Sequence, residues 1–214
     1  MERRQSVARS FAGAPVVGVV RTGDRGEAAR IAQAYLDGGL ELIEVTFTVP
    51  GAEELAAELL ARRGNGGPPW IGMGTVTTPE RAARAAAAGA DFLVSPNAGD
   101  AVAEAARRTG LFVVLGALTP TEIVRARDLG ADLVKVYPLP PVGGAAYLAT
   151  VRQPLDDVPL LAAGGFPAEE IPVYRQAGAV AFGLGAPQLL ADTPEGSRRR
   201  IGSALAAARG EASA

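Results

Sequence analysis

Lys135 is the only lysine among the 21 basic residues of this chain. It sits mid-run in Asp132-Leu133-Val134-Lys135-Val136-Tyr137-Pro138, whose apolar neighbours predict a buried strand. Such a strand is a costly place for an ammonium ion, because burial favours the neutral amine. Arginine stays protonated at any usable pH, whereas a neutral lysine amine is a nucleophile toward carbonyls. One reading of Lys135 is therefore a Schiff-base former. The other is a lysine left over in an arginine-biased composition, snorkelling to a strand end. Glu44 poses the same question: Leu42, Ile43 and Val45 mark a second buried strand, where a carboxylate is expensive without a partner. It can shuttle protons beside Lys135, or it can hold a buried ion pair that only serves packing.

Other candidates stand where further apolar runs end. Gly164-Gly165 and Gly183-Leu184-Gly185 suit the close approach of backbone N–H groups to a phosphate or another anion, although ordinary tight turns use glycine in the same way. Arg21 and Thr75 have the chemistry to hold a substrate carboxylate, with a surface strand-end charge as the plainer account of Arg21. Ser95-Pro96-Asn97 closes another run.

Composition narrows the field. The chain contains no cysteine and no histidine, which excludes thiol and Ser-His nucleophile systems, disulfides, and metal sites built on thiolate or imidazole. No carboxylate cluster suggests a magnesium site, so neither metal nor cofactor is expected. The net charge is −2 and the arginines form no long stripe, which argues against nucleic acid as a partner. The first twenty residues look faintly like a signal peptide, but their apolar stretch is short and broken by Pro15 and Gly18. They read better as a short helix and a strand. No run is long enough to span a membrane, and a cytoplasmic protein is expected.

The elements that must position these residues follow from a repeated phrase. A glycine ends a helix, a small or acidic residue follows, and an apolar run begins, at Gly39, Gly89, Gly110, Gly130 and Gly178. The unit of about 20–25 residues implies βα repeats and a parallel sheet. Strands are expected near residues 14–20, 41–47, 70–75, 91–95, 111–115, 132–137, 158–163 and 179–183. Helices fill the gaps, with extra ones near 2–11 and 197–209. Helix starts are expected from capping boxes at Asp24 with Glu27 and Thr119 with Glu122, and from Thr-Pro pairs at 78–79, 119–120 and 193–194. Gly64 to Pro69 reads as a loop, not a domain linker. Eight such units in 214 residues predict an α/β fold, a compact (β/α)8 TIM barrel with an extra N-terminal helix, occupying residues 1–214 as one domain. A doubly wound open sheet is the alternative. In a barrel, the candidate residues all fall at the C-terminal ends of strands, where barrel chemistry is done.

These residues in this order resemble the 2-keto-3-deoxy-6-phosphogluconate aldolase family, class I pyruvate aldolases also described as 4-hydroxy-2-oxoglutarate aldolases. The resemblance rests on GLELIEVTFTVP (39–50), IGMGTV (71–76), FLVSPN (92–97), LGALTPTE (115–122), LVKVYP (133–138), AGGF (163–166) and FGLG (182–185). It implies that Lys135 forms the Schiff base and Glu44 transfers protons. It also implies that Arg21, Thr75 and Pro96 contact the carboxylate end, and that Gly164, Gly165 and Gly185 bind phosphate. The reaction implied is reversible cleavage of a 2-keto-3-deoxy sugar acid to pyruvate and an aldehyde, in a homotrimer of barrels. Ala163 and Ala186 depart from the threonine and serine of many relatives, which keeps the phosphogalactonate branch and unphosphorylated or specialised keto acids open as substrates. Thr48 stands where some relatives have arginine. Desolvation by Val134, Val136 and neighbours of the Phe112 type and repulsion from Arg21 are expected to favour the neutral amine, with Glu44 opposing them. Two rival readings stand beside the aldolase: a sugar-phosphate isomerase or epimerase in which Lys135 acts only through its charge, and a non-catalytic barrel kept for assembly or ligand binding.

Overall fold

The computed structural model describes residues 2–13, 15–63 and 67–211. The Gly64-Asn65-Gly66 part of the expected loop and residue 14 of the expected first strand lie outside the described residues. Eight parallel strands form a closed ring in sequence order. They are β1 Val16–Val20, β2 Leu42–Thr46, β3 Trp70–Gly74, β4 Phe92–Val94, β5 Phe112–Ala117, β6 Leu133–Val136, β7 Leu160–Ala163 and β8 Ala179–Gly185. β8 pairs with β1 in parallel register, Gly183 opposite Val17 and Gly185 opposite Val19, and so closes the barrel. The open doubly wound sheet is thereby excluded.

Helix α1 (Glu2–Gly13) precedes the barrel. Around it run α2 (Arg25–Asp37), α3 (Ala52–Ala61), α4 (Pro79–Ala87), α5 (Asp100–Arg108), α6 (Pro120–Asp128), α7 (Gly144–Arg152) and α8 (Ile171–Gln176), each after its strand. The short α9 (Ala186–Leu189) and the longer α10 (Pro194–Arg209) follow β8. The helix starts follow their capping chemistry. Thr119 and Glu122 form a full reciprocal box, and Thr78 and Thr193 accept from the N–H groups of Arg81 and Gly196. The box expected at Asp24 is half made: Asp24 accepts from the Glu27 N–H at 2.6 Å, but the Glu27 carboxylate turns to the Thr22 hydroxyl instead. The five repeat glycines all take positive φ, from 72° to 97°, as helix-ending glycines must.

Strand alternation sorts the side chains into two layers. Val134, Val136, Ile43 and Val45 point outward and pack under the helices, while Leu133, Leu42, Phe92, Phe112 and Leu161 fill the bore. The repeated acidic residues seal the lower end. Asp91 accepts from the Ile71 N–H at 2.8 Å and pairs with Arg3 and Arg63; Asp132 accepts from the Val113 N–H at 2.7 Å and pairs with Arg4 at 2.6 Å. Arg3 and Arg4 thus pin α1 across the base, where Phe11 stacks on Phe112 with ring centroids 4.7 Å apart. With its base plugged, the barrel can admit a ligand only at the C-terminal ends of its strands.

This arrangement corrects the expected surroundings of Lys135. Phe112 lies at the plugged base, and Val134 and Val136 face the helices, because neighbours one position away on a strand point to the opposite face. Lys135 shares its face with Leu133 below and Tyr137 above.

Candidate active site

β2 and β6 stand four places apart in a ring of eight strands, so their inward side chains meet across the bore. Lys135 Nζ lies 3.8 Å from Glu44 Oε2, with the two side chains 10% and 3% exposed. That separation is an ion pair without a hydrogen bond. Glu44 Oε1 is buried with no hydrogen-bond partner among the described residues. Buried carboxylate oxygens are normally satisfied, so an unpaired one beside the chain's only lysine calls for an explanation, and a proton-transfer role supplies one.

Glycines make the room. A Cβ on Gly74 would collide with the Glu44 carboxylate, and one on Gly72 with the Phe92 ring. Gly116 is the register neighbour of Lys135, and a Cβ there would strike the backbone of Pro96 and Asn97. The β4 loop therefore folds in above β5.

Above Lys135 opens a cavity of about 340 Å³ walled by Arg21, Lys135, Tyr137, Gly164, Gly185 and Gln188, among others. Its size lies at the small end of the usual range for ligand clefts. Gly165 and both departures from the family pattern, Ala163 and Ala186, also lie on its wall. Val19 forms another part, held from behind by Tyr35, whose hydroxyl donates to the Val19 carbonyl at 3.2 Å. Burial pushes the Tyr35 phenol well above its ordinary pKa, so it remains a donor. Three larger depressions hold none of the candidate residues: two, of about 570 and 530 Å³, lie against α10, and one of about 500 Å³ lies by α1 at the base.

Thr75 enters through Arg21, whose guanidinium donates to Thr75 Oγ1 at 3.3 Å. Thr75 is the one non-glycine with positive φ among the described residues, at 60°. Arg81 holds that turn by donating to the Thr75 carbonyl at 3.0 Å. A left-handed threonine costs about 1–3 kcal/mol and persists where the surroundings impose it, often at a binding site. Glu44, Thr75 and Pro96 do not line the cavity; Glu44 reaches it through Lys135 and Thr75 through Arg21, whereas Pro96 is exposed with its carbonyl packed on Gly116. Among the described residues, no group of three or more acidic or other metal-ligating side chains gathers to hold an ion.

Two cavity residues escaped sequence reasoning. Tyr137 is 44% exposed, and its ring centroid lies 5.5 Å from Lys135 Nζ, within cation–π range. Period-2 alternation from Lys135 was the signal for it. Gln188 accepts from the Gly185 N–H through Oε1 at 3.1 Å and donates from Nε2 to the Gly165 carbonyl at 3.5 Å. Its signal was the three-residue spacing after Gly185, from which a glutamine reaches back over a helix start.

Comparison with known proteins gives a consistent picture. A family model described as KDPG and KHG aldolase matches residues 7–196. The 2-dehydro-3-deoxy-phosphogluconate aldolase of Treponema pallidum (strain Nichols) is 35% identical over 161 residues, covering 75% of this chain and 73% of that protein. The 2-dehydro-3-deoxy-6-phosphogalactonate aldolase of Escherichia coli (strain K12) is 28% identical over 172 residues, covering 80% and 82%. A solved structure of native KDPGal superposes with a TM-score of 0.80 at 27% identity, covering 92% of this chain and 95% of that one.

Proposed function

Since the chain belongs to the KDPG and KHG aldolase family, we propose that it is a metal-independent class I aldolase that reversibly cleaves a 2-keto-3-deoxy sugar acid to pyruvate and an aldehyde. The observation that carries this reading is the pairing of the chain's only lysine with the buried Glu44 carboxylate, 3.8 Å away, beneath a cavity lined by Arg21.

In the cleavage direction, the neutral Lys135 amine adds to the keto carbon, and loss of water gives an iminium. Glu44, through a water, takes the proton from the hydroxyl on C4. The C3–C4 bond breaks, its electrons flow into the iminium to leave an enamine, and the aldehyde departs. Glu44 returns the proton to C3, and hydrolysis of the iminium frees pyruvate and Lys135. Arg21 and Thr75, already joined by a hydrogen bond, hold the carboxylate and fix the face that reacts. Pro96 supports this end through the backbone packing of its loop, and Gly164, Gly165 and Gly185 wall the far end of the substrate. The whole chain acts as one barrel domain, in the cytoplasm and as a homotrimer. No helix of the described residues is long and apolar enough to cross a membrane.

Borohydride reduction in the presence of pyruvate tests the reading. The intact mass should rise by one reduced pyruvyl group, which peptide mapping should place on Lys135. Lys135→Ala should abolish the adduct, as should Lys135→Arg, whose guanidinium stays charged. An adduct that survives in Lys135→Ala defeats the assignment. Relatives named for the gluconate and galactonate acids both match, so turnover is to be measured with both.

A further inference from the structure

The glycine loops after β7 and β8 carry an arrangement that an anion site should not have. Gly185 lies in the cavity wall, where its N–H could serve a phosphate, yet Gln188 Oε1 already takes it at 3.1 Å. The other half of the same carboxamide reaches the Gly165 carbonyl at 3.5 Å. One side chain therefore bridges the two loops and lies in the cavity wall. The walls beside it, Ala163 and Ala186, present methyl groups and no hydroxyl. Among the described residues, the only charged ones lining the cavity are Arg21 and Lys135, and both serve the pyruvate half in the reaction above. The helix that follows, α9, has only four residues and contributes little dipole.

A phosphate dianion leaving water needs charged or multiple N–H donors to replace its hydration. At Gly185 it would meet a carboxamide oxygen in place of a free N–H, which leaves the Gly164 and Gly165 loop as its remaining source of backbone donors. A hydroxyl-bearing tail faces no such conflict. A carboxamide has both a donor and an acceptor, and a hydroxyl can use either.

We infer that Gln188 determines specificity at the distal end of the substrate, selecting 2-keto-3-deoxy acids with an uncharged, hydroxyl-bearing aldehyde half over phosphorylated ones. The inference rests on the aldolase reading and extends it to the substrate class. It also gives Gln188 a role beyond capping α9, because a cap alone would not change the ratio between two substrates.

The test compares kcat/KM for 2-keto-3-deoxygluconate and its 6-phosphate in the wild type, Gln188→Ala and Gln188→Glu. The wild type should prefer the unphosphorylated acid. Gln188→Ala frees the Gly185 N–H and should move the ratio toward the phosphorylated acid by about tenfold or more, mainly through KM, the scale of one hydrogen bond to a charged group. Gln188→Glu keeps the acceptor, adds a negative charge, and should move the ratio the other way. A wild type that prefers the phosphorylated acid overturns the inference, as does a ratio that both variants leave unchanged. Borohydride trapping of pyruvate on the wild type separates the two levels. With no adduct, the aldolase reading falls and takes this inference with it; with an adduct and a preference for phosphate, this inference alone falls.

Discussion

Replacing Glu44 by glutamine removes a charge and a proton carrier while keeping the shape of the side chain. The carboxylate is 3% exposed, 3.8 Å from Lys135 Nζ, and has one oxygen without a partner among the described residues. At that distance and an effective dielectric of about 20, the attraction is about 4 kcal/mol before the cost of desolvating both groups, which offsets most of it. The net loss of stability should therefore be modest, and the amide fits the space that Gly74 leaves. The catalytic loss should be large. Proton transfer by a positioned group contributes about 10²–10⁴-fold, equivalent to about 3–5 kcal/mol of barrier. Cleavage turnover should fall by that factor, and so should exchange of the pyruvate methyl protons in deuterated water, followed by NMR. Exchange needs the enamine and its proton carrier but no aldehyde, so it isolates this step. Glu44→Asp withdraws the carboxylate by about 1.5 Å, one carbon–carbon bond, and should recover little of the rate. Exchange at the wild-type rate in Glu44→Gln would refute the argument and assign the residue to packing.

Three further outcomes follow from the same geometry. Gly74→Ala places a methyl group against the Glu44 carboxylate; it should cost about 1–3 kcal/mol in thermal or denaturant unfolding and cut turnover at least tenfold, and a variant of full stability and activity would show that the space is not needed. Exhaustive chelation should leave turnover intact, because the iminium is the electron sink; a loss restored by magnesium or zinc would overturn the class I assignment. The Glu122 carboxyl is held below the usual carboxylate range by the N–H groups of Thr119 and Leu118. It therefore stabilises the fold above the ordinary carboxylate pKa and loses that contribution as pH falls through its own lowered value, so Glu122→Gln should flatten the acid side of a stability–pH curve.

Much of the barrel was legible because its signals are local. Gly39, Gly89, Gly110, Gly130 and Gly178 must take a left-handed conformation at helix ends, and only glycine does so without strain. Thr78 and Thr119 cap helices within four residues of themselves. The strands were expected one or two residues too long at several ends, since an apolar run continues beyond the last ladder bond, and two residues too short at the ends of β5 and β8. Short elements such as α9 were not foreseen, because four residues hold too little periodicity.

Lys135 and Glu44 stood out as candidates one by one, from a charge on an apolar strand and from the absence of other nucleophiles. Their distance was not legible, because they stand 91 positions apart and only closure of the ring sets them on opposite walls. Tyr137 and the misplaced Phe112 show the same division. Alternation tells which residues share a face, but not which end of the bore is plugged, and that depends on α1 crossing the base. Gln188 marks the boundary most sharply. Its spacing from Gly185 is a matter of sequence, but its reach to Gly165 is not. The carboxamide can span the two loops only because β7 and β8 are adjacent and bring their glycines together. Sequence determined which groups could act, through residue type and local conformational preference. Tertiary structure decided which groups meet, because the ring brings together side chains that the chain itself holds far apart.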